Sequence, residues 1–456
     1  MPVRLDYWLK YTRSLKKISC QFAPQTFIVK ISICFMKRMV KRFRRWISNH
    51  TALISLRIKL PKCSSDTFQS LLEFQRYPPS LKNFAIYQQK AQDPKFSTYG
   101  RVVSAFSRLS NLESLTLSGS CLLNAVQALF KKIPGLLGIR KLNVQVSEGN
   151  FLGPLFDLNH CEVLRNLKHL KVSRIDGRRD LTLLGDCPSL ESLSVKGAIG
   201  VEGLKLISQF LRKLENSLKT LKIDIAHAYE AETEGEIKRL FSSASELREL
   251  TKFKFRVKNT APLFGLGKVM ISPTVVENLE GIFTKAVKLE SFEWEMPRVL
   301  GPGIIMDFIR LLDGSALTLK KLKIDHPSIH MERSHELTLW SFLKRLRSIE
   351  KLHMIGMNIM TENFWVRLVD ILRNTKALRS LGWGYMVRDF KEEWFVREFA
   401  KLAKKNGLEE IEIESLQADV EGYDGVSLKE ILRVNPAFVR VSDNIRGLLG
   451  IGRESY

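Results

Sequence analysis

The stretch Leu112-Glu113-Ser114-Leu115-Thr116-Leu117 places three leucines at the spacing Leu-x-x-Leu-x-Leu. One residue separates the second leucine from the third, and apolar residues at every second position are typical of a strand that is buried on one face. The phrase returns along the chain: the first positions of successive copies lie 23 to 31 residues apart from Leu81 to Leu247, and 29 or 30 apart from Leu289 to Leu408. A period of this size is typical of a solenoid of stacked repeats.

Fourteen copies of the phrase can be counted, eight of them complete and six looser. The complete copies begin at Leu112, Leu167, Leu190, Leu218, Leu319, Ile349, Leu378 and Leu408, and the looser ones at Leu15, Leu53, Leu81, Ile139, Leu247 and Leu289. Because one copy cannot bury its own apolar face, neighbouring copies must stack to form a continuous core.

The residues between copies follow a helical period. After the copy at Ile349, an apolar stripe runs from Phe364 to Leu372 and is followed by Arg373 and Asn374 at a predicted helix end. Each repeat is therefore predicted to be one strand and one helix. The predicted fold class is an α/β solenoid with parallel strands on the concave face and helices on the convex face.

One copy carries a family resemblance. The stretch Asp186-Cys187-Pro188-Ser189-Leu190-Glu191-Ser192-Leu193-Ser194-Val195 resembles the Cys-Pro-x-Leu-x-x-Leu-x-Leu phrasing of intracellular F-box/leucine-rich-repeat proteins. The resemblance implies a leucine-rich-repeat solenoid whose concave face recognises a protein substrate for ubiquitin ligation. Residues 1–50 lack the leucine-proline opening of an F-box. The cullin-ligase adaptor is therefore expected as a partner only if an F-box lies upstream.

The sequence divides into five segments. Residues 1–50 form a basic N-terminal segment, interpreted as a first partial repeat and an amphipathic helix, and residues 51–258 are repeats. Pro262, Gly265, Gly267 and Pro273 indicate an irregular loop insertion over residues 259–280, because Gly and Pro interrupt regular structure. Residues 281–433 are again repeats, and residues 434–456 form a C-terminal tail.

Positive charge is concentrated at the N-terminus. The chain has a formal net charge of +24, and residues 1–60 contain fourteen Lys and Arg but one acidic residue. A helix beginning at Pro24 would align Ile28, Ile31 and Trp46 on one apolar stripe. The basic residues of this predicted helix are Lys37, Arg38, Lys41, Arg42, Arg44 and Arg45. The stripe fits the outer helix of a repeat; a nuclear address, an acidic partner, nucleic acid and an anionic membrane surface remain as alternatives, the membrane least favoured.

Residues that alternate with the repeat leucines should face solvent on the concave side. The members predicted to bind a partner are Arg57, Lys59, Lys141, His169, Lys171, Lys196, Lys222, Glu293, Glu295, Lys321, Lys323, Lys351, His353, Glu410, Glu412 and Glu414. They change from basic to acidic along the chain. We predict that they bind a protein with complementary charge, although they would also suit solvated strands without a partner. Nucleic acid is less favoured there, since the last three glutamates would repel phosphates.

The sequence predicts no catalytic, cofactor-binding or metal-binding residue, and hence a protein that is not an enzyme. Gly265-Leu266-Gly267-Lys268-Val269 lacks the first glycine and the final hydroxyl of a phosphate-binding loop. His326, His330 and His335 match no metal-ligand spacing. The six cysteines form no cysteine-rich cap, and neither a signal sequence nor an apolar run of 18 residues is found. An intracellular location, cytoplasmic or nuclear, is expected.

Two alternative functions remain at this level. The repeats are also similar to those of the Ran GTPase-activating protein, which would imply a regulator of a small GTPase. That family carries an acidic tail, whereas the tail here contains Arg440, Arg446 and Arg453. The other alternative is a basic scaffold that binds nucleic acid or an anionic surface through residues 37–45.

Overall fold

The computed structural model describes most of the repeat strands and, in the second half of the chain, the helices between them. The described residues are 17–23, 26–32, 54–63, 80–91, 111–118, 138–145, 165–175, 187–199, 201–225, 231–257, 279–286, 288–295, 302–330, 333–359, 364–387, 398, 401–402, 405–417 and 439–441. The chain divides into two compact units, Met1–Leu218 and Lys219–Tyr456.

The first unit is a sheet whose strands are neighbours in chain order. Its strands are β1 (Lys17–Ala23), β2 (Thr26–Ser32), β3 (Ser55–Cys63), β4 (Asn83–Ala91), β5 (Ser114–Ser118), β6 (Lys141–Gln145), β7 (His169–Ile175) and β8 (Ser192–Ile199). All pairs from β2 to β8 are parallel, and β1 pairs antiparallel with β2. Helix α1 (Val201–Leu211) and a 3₁₀ turn (Arg212–Leu214) follow β8.

The second unit shows the alternation of strand and helix directly. Its elements in chain order are β9 (Thr220–Ile225), α2 (Ala231–Ser245), β10 (Lys252–Val257), α3 (Glu280–Lys285), β11 (Ser291–Glu295), α4 (Pro302–Leu312), β12 (Lys321–His330), α5 (Arg333–Arg345), β13 (Lys351–Ile359), α6 (Phe364–Asn374), β14 (Ser380–Val387), β15 (Glu410–Gln417) and β16 (Val439–Val441). Its strands are again parallel neighbours in chain order. The predicted α/β solenoid class is confirmed, and α6 ends at Asn374 as predicted.

The repeat leucines form ladders through the sheet. Leu115 pairs in register with Leu142, Leu142 with Leu170, and Leu170 with Leu193, so equivalent positions of the phrase lie side by side. These four side chains are almost completely buried. Leu112, the first position of its copy, is also fully buried. The phrase therefore marks the core of each repeat, as the sequence predicted.

The two residues between the first and second leucine dock each repeat onto the one before it. The backbone N–H groups of Glu113 and Ser114 both donate to the carbonyl of Lys82, each at 2.9 Å. Those of Arg140 and Lys141 both donate to the carbonyl of Glu113, and the pattern recurs in the second unit. Because the same carbonyl accepts two bonds, the starts of the strands that show this pattern are fixed in position along the neighbouring strand.

Side chains at the first of these two positions form a charge ladder, which the sequence reading missed. Lys82 Nζ lies 2.8 Å from Glu113 Oε1, and Lys320 Nζ lies 2.9 Å from Glu290 Oε1. Both pairs join neighbouring repeats and are well exposed, so each contributes at most about 1 kcal/mol. Opposite charges in adjacent repeats favour the observed register over a shifted one.

An aromatic cluster fills the core of the second unit between α2 and strands β10 and β11. Trp294 is fully buried, with ring centroids 5.1 Å from Phe255, 6.0 Å from Phe241 and 6.4 Å from Phe292. Trp383 on β14 is buried as well and stacks on Trp340 of α5 at 5.6 Å. The prediction that Trp294 and Trp383 belong to the core is confirmed.

The N-terminal segment departs from the sequence prediction. A helix was predicted to begin near Pro24, but Thr26–Ser32 forms strand β2. It pairs antiparallel with β1 over its whole length, from Ala23 opposite Thr26 to Lys17 opposite Ser32. The stretch is rich in β-branched residues, which favour strands, and pairing with β1 and β3 outweighs the helical spacing of its apolar residues. The basic residues 37–45 lie outside the described part of the chain.

Two further predicted segments are described only in part. Of the irregular loop insertion, residues 259–280, only Leu279 and Glu280 are described, and Glu280 begins α3. Of the predicted tail, residues 434–456, only Val439–Val441 is described, as strand β16 paired with β15.

Candidate interaction surface

The open face of the sheet is defined here as the strand positions that alternate with the buried leucine positions. In the first unit, Lys141, His169 and Lys196 on this face are exposed, while Arg57 and Lys171 are partly exposed. Lys59 occupies an open-face position of β3, but its side chain lies outside the described part of the chain.

The open face of the second unit holds the other predicted residues. Lys222 and Lys351 are exposed and Glu295 is buried. Glu293, Lys321, Lys323 and His353 are partly exposed. Glu410, Glu412 and Glu414 lie on β15, where Glu410 pairs in register with Ser380 and Glu412 with Gly382, and nothing is described of their side chains.

Strand register brings opposite charges together at the centre of this face. Lys254 of β10, Glu293 of β11 and Lys323 of β12 are register partners in successive strands. In the next row, Arg256 of β10 is followed by Glu295 of β11. Adjacent strands are about 4.8 Å apart, so side chains in one row can make direct ion pairs.

These charges form one ion-pair network. Lys254 Nζ lies 2.7 Å from Glu293 Oε2 and 3.0 Å from Glu295 Oε1, bridging the two carboxylates. Lys321 Nζ approaches Glu293 Oε1 at 2.6 Å, and Lys323 Nζ approaches Glu295 Oε1 at 3.3 Å. The network consists of Lys254, Arg256, Glu293, Glu295, Lys321, Lys323 and Asp325, with Arg256 pairing with Glu295 and Asp325 with Lys323.

The network changes the ionisation of its members. Burial opposes ionisation of Glu293, but hydrogen bonds from Lys254 and Lys321 outweigh burial and lower its pKa to about 2. The pKa of Glu295 is lowered in the same way, and that of Lys254 is raised by the two carboxylates against the effect of burial. Burial raises the pKa of Asp325, and Glu295 adds to this effect. Glu293 and Glu295 therefore stay charged at neutral pH.

The lowered pKa of Glu293 predicts a loss of stability in acid. Its pKa falls from 4.5 in the unfolded chain to about 2 in the folded protein, so the folded state favours the ionised form. The resulting stabilisation is complete above pH 4.5 and disappears as the pH falls towards 2, and it amounts to roughly 2 kcal/mol after allowance for solvent.

This prediction is checked by urea denaturation of the wild type and of Glu293→Gln between pH 7 and pH 3. The wild type should lose stability more steeply, because the variant lacks the titrating group. Equal losses in the two proteins would show that Glu293 is not a source of the acid sensitivity.

Three exposed lysines flank the network. Lys222 lies on β9, Lys252 on β10 and Lys351 on β13. Lys252 and Lys351 lie in the same row as Lys321, one row away from Glu293. Network cations are turned towards carboxylates, whereas these three ammonium groups are open to solvent. They are the cations of this face best placed to meet a partner.

A histidine lies beside the network on β13. His353 is the register partner of Lys323 and of Gly382, and its Nε2 lies 2.7 Å from Ser380 Oγ. The absence of a side chain at Gly382 makes room for the ring, since a Cβ there would lie 2.7 Å from His353 Nδ1. The imidazole is thus held in one orientation on the open face.

The open face of the first unit has a different composition. The first three open-face positions of each strand from β3 to β8, eighteen in all, include four Lys, one Arg and one His, but no Asp or Glu. They are Ser55, Arg57, Lys59, Asn83, Ala85, Tyr87, Ser114, Thr116, Ser118, Lys141, Asn143, Gln145, His169, Lys171, Ser173, Ser192, Ser194 and Lys196. Burial and the nearby charge of Lys141 lower the pKa of His169.

The sequence reading missed Lys252, Lys254 and Arg256. They belong to the copy that was counted from Leu247, whose first position in the structure is Leu250, with phenylalanines in place of the second and third leucines. Phe253 and Phe255 are nevertheless in register with Phe292 and Trp294. Starting this copy at Leu250 and accepting any large apolar residue at its second and third positions would have placed the three basic residues on the open face.

Comparison of the sequence with known protein families and with curated proteins found no match. The fold and the open faces define an α/β repeat protein. Within the described residues, no helix is both long enough and apolar enough to cross a membrane.

Proposed function

We propose that this chain is a non-enzymatic scaffold that binds a protein partner through the open face of its second unit. The observation that carries the proposal is the ion-pair network, which holds Glu293 and Glu295 in place while Lys222, Lys252 and Lys351 around it remain exposed. A partner of this face would carry carboxylates opposite these lysines.

The network also favours binding for an entropic reason. Ordering a long charged side chain at an interface costs about 0.5–1.5 kcal/mol. Lys254 and Lys323 are already held by Glu295, so this cost is met during folding rather than on binding. A partner then meets a surface whose centre is pre-organised.

The test compares two charge-reversed forms of the tagged full-length chain. The face variant is Lys222→Glu/Lys252→Glu/Lys351→Glu. The control is Lys376→Glu/Lys401→Glu/Lys405→Glu, which makes the same charge change at exposed lysines in the connections between strands. Partners recovered from cells are quantified by mass spectrometry.

We expect a defined set of proteins to be recovered at least tenfold less with the face variant and to be retained with the control. Purified partners should then reproduce the difference in a direct binding assay. Equal recovery with both variants would rule out the open face of the second unit as the binding surface.

The finer proposal is a substrate-recognition role like that of F-box/leucine-rich-repeat proteins. It rests on the resemblance of the stretch from Asp186 to Val195 and on the repeat architecture of strands and helices. Recovery of the cullin-ligase adaptor together with the face-dependent partners would support it. If the partners lost with the face variant were recovered without any ligase component, the chain would be a scaffold with a role other than substrate recognition for ubiquitin ligation.

A further inference from the structure

The open face of the first unit differs in composition from that of the second unit. We propose that this acid-free face, the eighteen positions on β3 to β8 given above, binds single-stranded RNA through its phosphodiester backbone. The inference goes beyond the protein-binding function, because it concerns another unit of the chain, other residues and another class of ligand.

The first argument is composition. Phosphate oxygens in nucleic-acid complexes are contacted mainly by Arg and Lys and by the polar side chains of Ser, Thr, Asn, Gln and Tyr. Sixteen of the eighteen positions are of these types, the exceptions being Ala85 and His169. Protein–protein interfaces, by contrast, are depleted in Lys and Ser. Ten of the eighteen positions here are Lys or Ser.

The second argument is charge. In the second unit the open-face lysines and arginine at the centre are neutralised by Glu293 and Glu295, whereas in the first unit the face itself supplies no carboxylate to do this. Lys141 and Lys196 are exposed. The field of such a face attracts anions.

The third argument is dimension. The five steps from β3 to β8, at about 4.8 Å each, span roughly 24 Å, and side chains on one strand repeat every 6.6 Å or so. A face of this size can contact several phosphates of one strand at once. Cations and hydroxyl or amide groups are interspersed across it, as continuous tracking of a backbone requires.

The fourth argument concerns the choice of RNA. The guanidinium of Arg57 lies 5.7 Å from the centroid of the partly exposed Tyr87 ring, and together they offer planar groups on which a base can stack. Hydroxyl and amide groups, such as those of the partly exposed Ser118 and Asn143, can donate to and accept from a ribose 2′-hydroxyl. Only RNA provides that group.

The test measures binding of the full-length chain to a fluorescently labelled oligouridylate by anisotropy. The face variant is Lys141→Glu/Lys196→Glu. The control variant is Lys205→Glu/Lys213→Glu, which makes the same change of charge at exposed lysines of α1 and the 3₁₀ turn after it. Circular dichroism establishes that both variants remain folded.

We expect the face variant to bind at least tenfold more weakly, and the control to stay within twofold of the wild type. With about four phosphates contacted, wild-type affinity should fall on the order of 50-fold between 50 and 200 mM salt. The face variant should show a log–log salt slope that is smaller by about 1–2. Equal losses in both variants would overturn the proposal, because they would indicate attraction by net charge alone.

Two competitors test the identity of the ligand. Oligodeoxythymidylate should bind more weakly than the RNA, and polyglutamate of equal charge should compete poorly. Equal binding of the deoxy strand would overturn the assignment to RNA, and equal competition by polyglutamate would indicate an acidic polypeptide instead.

Ultraviolet crosslinking of the wild-type complex provides evidence that does not depend on a variant. Crosslinked peptides are expected from β4 to β6, which include Tyr87 and Lys141. Crosslinks confined to residues 37–45 would place RNA on the basic segment and overturn the proposal.

Discussion

Trp294→Ala is expected to lower the free energy of unfolding of the second unit by about 3–5 kcal/mol. The indole is fully buried and lies among Phe241, Phe255 and Phe292, which come from α2, β10 and β11. Removing it takes away apolar contacts with three elements and leaves a cavity that rigid parallel strands cannot close.

The measurement is urea denaturation followed by circular dichroism, combined with hydrogen exchange of peptides from residues 251–295. Exchange in β10 and β11 should accelerate most, because these strands carry the aromatic partners. Leu317→Ala is the control, since Leu317 is 68% exposed and its truncation should cost less than about 0.5 kcal/mol. If Trp294→Ala lowered the free energy of unfolding no more than Leu317→Ala does, the packing of Trp294 in the aromatic cluster would be contradicted.

Glu295→Gln is expected to destabilise the second unit by about 2–4 kcal/mol. The side chain is 7% exposed and lies against Lys254, Arg256 and Lys323. Neutralising it leaves three partly buried cations close together with one carboxylate fewer to balance them. The expected loss of stability is smaller than for a fully buried ion pair, because the three cations remain partly exposed to solvent.

The matched control for this prediction is Glu290→Gln. Glu290 makes one exposed ion pair with Lys320 on the charge ladder, so its loss should cost less than about 1 kcal/mol. Added salt should partly restore the Glu295 variant, because it screens repulsion among the remaining cations. Equal free energies of unfolding for the two variants, or a further loss of stability of the Glu295 variant in added salt, would show that the network does not stabilise the second unit.

The predictions from sequence that were confirmed concern apolar periodicity. Leu115 and Leu117 were predicted to be core residues of a strand, and Trp294 and Trp383 were predicted to occupy leucine positions; all four are buried. These predictions succeed because burial at every second position is a local property of a strand on a covered sheet. The same reasoning failed at Thr26–Ser32, where the helical spacing of two isoleucines was outweighed by pairing with neighbouring strands.

The placement of charges was predictable only in part. Glu293 and Glu295 were predicted as open-face residues that meet a partner, and the role in binding stays a prediction. Sequence did not reveal that Lys254, 39 residues before Glu293, bridges both carboxylates. That contact depends on the register between β10 and β11, which is decided by stacking of whole repeats.

By itself, then, the sequence of this protein determined the repeat length, the alternation of strand and helix, and the leucine positions of the core, because these depend on spacing along the chain. Tertiary structure decided which charges neutralise one another. Parallel pairing sets residues from successive repeats within about 4.8 Å of each other. It therefore produced a closed ion-pair network on the second unit and left an acid-free face on the first.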